Sequence, residues 1–234
     1  MKRTTEALIL GMSIMVAAAI FGIFFYSTRS SIKSIEVVGA ATGRFKSDVV
    51  KWRIAISRPA TATTIRQAYD LLSGDLKTVE AELKTAGIDS SEITIQPVNT
   101  QSVYKPNGGM DYNINQYIIV ISRDIPTVSG LALNPVTLVS KGVIVQSSAL
   151  GYYFSKLAEI KQNLLSDATK DAMKRADAIA ANSGMKVGHL LNARAGVFQI
   201  TEPYSTQVSS YGIYNTSTLE KDITVTVHCT FSLD

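Results

Sequence analysis

Residues Leu8 to Tyr26 form an uncharged apolar run of 19, with Lys2 and Arg3 before it and Arg29 after it. A helix of that length rises about 28 Å, close to the ~30 Å hydrocarbon core of a bilayer, and satisfies its backbone amides internally. A cleaved signal has a shorter apolar region of ~7–15 residues and small residues at its cut. This run instead ends in Phe24, Phe25 and Tyr26. The sequence therefore predicts a cytoplasmic tail at 1–7, a transmembrane anchor at 8–26, a juxtamembrane linker at 27–34 and a folded domain at 35–234. Cleavage within Ala17-Ala18-Ala19 is the alternative.

Lys2, Arg3 and the α-amino group lie on one side of the anchor, Arg29 and Lys33 on the other. A short basic start stays inside, which exports the domain. Ala18 and Gly22 are four apart and either let two such helices pack closely or simply fill a lipid-facing surface. The lone Cys229 excludes an intramolecular disulfide and suits a periplasm as well as a cytosol. Setting aside Lys2, Arg3 and Glu6 leaves 21 basic and 18 acidic residues without long runs. A phosphate-tracking groove needs clustered cations interleaved with aromatics, so nucleic acid is excluded as a partner. Lys51-Trp52-Arg53 sits in an alternating strand pattern, where Trp52 belongs to the core.

Apolar alternation predicts strands at 35–38 and 50–56, the second ending at Pro59. Ile65, Tyr69, Leu72, Leu76, Val79, Leu83 and Ala86 form one stripe of a helix at 62–86, stopped by Gly87 with Ile88 folded back on the last turn. Ile93, Ile95 and Pro97 start a strand whose partner holds Tyr117, Ile119 and Ile121, with a turn at Pro106-Asn107-Gly108-Gly109 between Tyr104 and Tyr112. These tyrosines either face a ligand or subunit or cover the sheet edge. The pattern is loose from Pro126 until Val143-Ile144-Val145. A helix at 158–182 carries Ile160, Leu164, Ala168, Ala172, Ala176, Ile179 and Ala180 on its apolar side; its small residues predict a close approach to a neighbour. The closing strand alternates Ile223, Val225, Val227, Cys229, Phe231 and Leu233 with polar residues, which makes Cys229 a core thiol. Before it, 201–219 is a polar loop bearing Tyr204, Tyr211 and Tyr214, longer than a connector requires.

Little of this pattern carries reactive chemistry. His189, His228 and Cys229 have no zinc-ligand spacing, so no metal or other cofactor is indicated. Gly39-Ala40-Ala41-Thr42-Gly43 lacks the Gly-Lys-Ser/Thr ending of a nucleotide loop and reads as a turn between strands. No serine elbow occurs, and Asp70/Asp75 and Asp167/Asp171 have the spacing of solvated helix faces. A non-enzymatic role follows.

Leu83-Lys84-Thr85-Ala86-Gly87-Ile88, leading through Glu92-Ile93-Thr94 into Gln96-Pro97-Val98, resembles the helix-to-strand signature of the SIMPL-domain family. Gly39 and Gly43, Tyr112 to Val120 before Asp124, Asp171-Ala172-Met173-Lys174-Arg175-Ala176, Gly184-Met185-Lys186-Val187-Gly188 and the closing Ile223 to Leu233 strand follow in the family's order, across roughly 33–234. The resemblance implies an exported or envelope-associated α+β protein without an established catalytic centre, linked to membrane or oxidative-stress phenotypes, with relatives that form rings or channel-like oligomers. The convincing anchor departs from the family's common soluble form.

The expected fold is α+β: mixed and antiparallel sheets covered by two long helices, after one transmembrane helix. Subdomains are expected at 35–125 and 140–234, either with a sheet each or sharing one continuous sheet. The expected role is a scaffold or homo-oligomeric assembly protein at the bacterial inner membrane, with its domain in the periplasm and an envelope protein as a further partner. Tyr104, Tyr112, Tyr204, Tyr211 and Tyr214 are the contact candidates. A periplasmic ligand- or peptide-binding module is the alternative.

Overall fold

The computed structural model describes residues 2–29, 33–106 and 108–234. Met1 of the expected tail, 30–32 of the expected linker and Asn107 of the expected turn lie outside the described residues. Helix α1 spans Lys2–Arg29. Its stretch Ile9–Ser27 is long and apolar enough to cross a membrane, and none of it is buried by the rest of the chain. Apolar side chains on every side of a helix, here including Phe21, Ile23 and Phe24, require a non-aqueous neighbour.

The chain divides into two compact units, one of Met1–Ala40, Asp167–Gly196 and Thr226–Asp234, the other of Ala41–Ser166 and Val197–Val225. After α1 the elements run β1 (Ser34–Lys46), β2 (Val49–Thr61), α2 (Ile65–Thr85), β3 (Ile93–Ile95), β4 (Asn99–Tyr104), β5 (Met110–Ser122), α3 (Ile125–Leu133), α4 (Val136–Ser140), β6 (Val145–Tyr153), α5 (Leu157–Ala181), β7 (Val187–Ala195), β8 (Gln199–Thr201), β9 (Ile213–Tyr214) and β10 (Glu220–Leu233). The class is α+β with two long helices, as expected. The strands form two sheets, so of the two arrangements left open the single continuous sheet is the one not adopted. One runs β3-β5-β2-β6 with β4 also on β5; the other runs β1-β10-β8-β9 with β7 also on β10. All pairings with a resolved register are antiparallel except β8 with β9. The first strand thus joins the last, while β6 joins the sheet of β2.

In the larger unit, Val50, Trp52, Ile54 and Ile56 of β2 lie beside Ile118 and Val120 of β5 and pack with Leu72, Val79 and Leu83 of α2. Gly87 stops α2 at φ +88°, and Ile88 N–H returns to Leu83 O at 3.0 Å with its side chain buried. Three expectations are corrected here. Strand β2 continues past Pro59, because Ser57 N–H points to Ile144 O on the β6 side, and Pro59, two residues on, lacks its N–H on that same side, beyond the β2–β6 pairing. The loose segment after Pro126 is helical: Asp124 caps α3 by accepting from Thr127 N–H at 3.2 Å, and Pro126 sits in the first turn, where its missing donor costs nothing. Asp75 is buried rather than solvated, since Arg58 reaches it from β2.

In the smaller unit, Gly39 sits within β1, so Gly39 to Gly43 is strand and not a turn. A Cβ on Gly39 would lie 2.1 Å from Ala168 O and 2.5 Å from Ala172 N, so only glycine admits this helix backbone. Ala168, Ala172, Ala176 and Ala180 are buried, the close approach their size predicts; Ile179 is instead 55% exposed, one step off the stripe. Asp171 accepts from Ala40 N–H at 2.9 Å, which holds its carboxyl below the usual range, helped by Arg175. The β10 residues Val227, Cys229 and Phe231 are buried, and burial raises the Cys229 thiol. Leu233 N–H closes on Lys33 O at 2.9 Å.

Candidate functional site

The tyrosine-bearing segments all belong to the larger unit. Strands β4 and β5 form a hairpin in which Tyr104 pairs with Met110 and Ser102 with Tyr112. Tyr104 is 79% exposed beside the tip, which the Lys105 to Asp111 ion pair closes at 2.7 Å. Tyr112 is half-buried and packs on the core instead.

The 202–219 loop is held by a polar network. Arg44 of β1 forks onto Asp222 of β10, Nε to Oδ1 at 2.7 Å and Nη2 to Oδ2 at 3.0 Å. This guanidinium holds the Asp222 carboxyl below its ordinary range against the opposing effect of burial. Asp222 Oδ2 also accepts from Tyr204 N–H at 3.3 Å, and the Arg44 guanidinium lies 4.5 Å from the Tyr204 ring centroid. Tyr204 has φ +63°, unusual for a bulky residue, yet its side chain is exposed. The network therefore stabilises a strained backbone that turns an aromatic ring outward. Gln199 Nε2 donates to Ser209 O at 2.7 Å, and Asn215 Nδ2 to Glu202 Oε2 at 2.7 Å. With both loop arms fixed, Tyr204, Val208 and Tyr211 project at 86%, 81% and 95% exposure. Tyr214 instead stacks on Tyr153 at 6.3 Å, and burial raises its hydroxyl pKa.

Below this loop, Lys221 is 1% exposed. Its ammonium donates to Ser47 Oγ at 3.0 Å, to Tyr152 O at 3.0 Å and to Thr218 O. Three donors meet three acceptors, none of them a carboxylate, and burial lowers the lysine to about 8. A serine beside a lysine of low pKa suggests a nucleophile with its base. Here Ser47 and Lys221 are both buried and the ammonium donates to the hydroxyl, so the pair joins the β1–β2 turn, β6 and the end of the loop. Asp48 extends that joint by accepting from Ser155 N–H at 2.7 Å.

Arg58 binds Asp75 through two contacts of 2.6 Å and Gly142 O at 2.7 Å, tying β2, α2 and the approach to β6 together. An apolar pocket lined by Trp52, Val79, Leu83, Leu131 and Leu138 offers ≈ 10 Å³, about enough for one water. Among the described residues no three His, Cys, Asp or Glu side chains are grouped to hold a metal. In α1, Ala18 and Gly22 lie in the exposed stretch.

Sequence reading missed Arg44, Asp222 and Lys221. For Lys221 a signal was present, because the closing alternation extended two residues back from Ile223 puts 221 on the buried face. Arg44 and Asp222 are 178 residues apart, and nothing local pairs them.

No curated protein matches the chain. The family model described as protein of unknown function (DUF541) matches residues 35–231, most of the chain, and the chain belongs to this SIMPL family.

Proposed function

We propose that this protein is a membrane-tethered subunit of a homo-oligomeric scaffold in the bacterial envelope, with α1 in the inner membrane and the SIMPL domain in the periplasm. The observation that carries the reading is the 202–219 loop, whose hydrogen-bond network fixes the backbone while Tyr204, Val208 and Tyr211 stay in solvent. A rigid loop loses little entropy on docking, and tyrosine brings large amphipathic area with few rotamers. Tethering adds to this by confining copies to one plane and raising their effective concentration. The exposed Tyr104 supplies a second surface, and two different surfaces allow growth beyond a dimer. Close packing of α1 helices through Ala18 and Gly22 belongs to the same reading, as do a ring-shaped assembly, an envelope protein partner and a part in envelope or oxidative stress.

Native mass measurement in mild detergent tests the assembly: species larger than a dimer are expected, and a strict monomer in several detergents overturns the reading. Orientation is read from Asp177→Cys, at an exposed position of α5, in a Cys229→Ser background. An impermeant thiol reagent should label it in intact spheroplasts; labelling only after lysis reverses the topology.

A further inference from the structure

Among the described residues strand β4 pairs only with β5, which makes it an edge strand. Lys105 N–H donates to Gly109 O at 3.2 Å, in line with the Tyr104 to Met110 register. In an antiparallel ladder the hydrogen-bonded residues alternate, so Lys105, Val103, Gln101 and Asn99 face β5 with their backbone groups. Thr100, Ser102 and Tyr104 therefore turn their N–H and C=O groups away from the sheet. The positions 101–104 are exposed, with Val103 at 49% and Tyr104 at 79%.

Natural edges are protected by charge, proline or a covering element. Between Glu92 and Lys105 this chain has no charged residue, and its one proline, Pro97, lies before the strand. A run without charge can meet its own copy without repulsion, whereas a charged edge brought against itself would place like charges together.

We propose that β4 pairs antiparallel with β4 of a second copy about a two-fold axis through Gln101. The inference rests on the assembly reading and names one of its contacts. Outward-facing residues must meet each other, and the register centred on Gln101 uses all of them: Thr100 faces Ser102 of the copy and Ser102 faces its Thr100. At the ends, Tyr104 comes opposite Val98 of the copy, the residue just before its β4. Aromatic to β-branched and hydroxyl pairs are cross-strand combinations that stabilise a sheet, and the Thr100 hydroxyl, already shared with the Tyr69 hydroxyl at 2.7 Å, keeps a further lone pair for Ser102 of the copy. Gln101 faces its own counterpart in a non-hydrogen-bonded pair, where Cα atoms approach to about 4.5 Å. That separation accepts a disulfide.

The test uses the full chain in detergent, with Cys229→Ser throughout. Gln101→Cys should become a disulfide-linked dimer under mild oxidation, whereas Ser102→Cys, offset from its counterpart, should couple poorly. Ser102→Pro removes an outward N–H that β5 does not use. Added to Gln101→Cys it should abolish the cross-link and reduce the native mass, while emission from the buried Trp52 stays unchanged. Failure of Gln101→Cys to couple in a sample whose native mass is oligomeric overturns the edge contact and leaves the assembly standing. A monomeric mass with no coupling overturns both. Coupling that survives Ser102→Pro, or a peptide held on the edge in place of a second copy, also overturns the proposal.

Discussion

The Lys221 ammonium donates to the Ser47 hydroxyl at 3.0 Å inside the larger unit, and its other acceptors are main-chain carbonyls. With no carboxylate among these partners, burial lowers its pKa from 10.5 to about 8. An unfolded chain binds the proton more tightly, so stability contributed by this residue rises with pH from about 8 to 10.5 and then levels off. Lys221→Met should lose this slope. It should also be less stable at neutral pH, because Tyr152 O and Thr218 O lose their donor. Urea titrations of both proteins between those pH values check it, and equal slopes would refute the account.

Arg58→Ala leaves Asp75 buried at 6% exposure without its two-pronged partner. Removing one side of a buried pair costs about 3–5 kcal/mol. Arg58→Lys should recover part of that loss, since an ammonium cannot form the fork. The midpoint of denaturant unfolding reports both.

Gly39→Ala should cost about 3 kcal/mol or more, because the new methyl meets the main chain of α5 at Ala168 and Ala172. Gly43→Ala is the control: its Cβ would meet only the Leu164 side chain at 3.4 Å. Similar thermal midpoints for the two variants would count against the close approach.

These contacts show what the sequence could reveal. The α5 stripe was legible because Ala168, Ala172, Ala176 and Ala180 repeat every four residues, and the β10 alternation made Cys229 a core thiol. Pro59 and Pro126 misled because a proline's effect depends on the side its missing N–H would face, which pairing and helix position decide. Asp75 looked solvated because the helix pattern cannot show an arginine arriving from another strand. For the contact loops, composition identified the segments, while the Arg44 to Asp222 fork that shapes one of them is non-local.

Asp222→Asn should release that loop. Arg44 would lose its charged partner and Tyr204 would lose the anchor of its φ +63° backbone. Amide exchange across 202–219 should accelerate while the Trp52 neighbourhood stays protected. For the wild type, the depressed Asp222 pKa means its contribution is present above the unfolded value, ~3.9, and is lost as pH falls through the lower folded value. Exchange that stays unchanged in the variant would show that Arg44 does not hold the loop.

The closure of Leu233 on Lys33 also sets an order of biogenesis. Among the described residues strand β1 comes first of the strands and has only β10 as its sheet partner, and β10 comes after all the others. Pairing across nearly the whole domain is slow, since a long loop must close before any contact rewards it. A chain halted before Glu220 carries β1 without its β10 partner, an open edge that is a template for aggregation. Addition of β10 is thus the step that closes this sheet, and every earlier stage of synthesis leaves β1 uncovered.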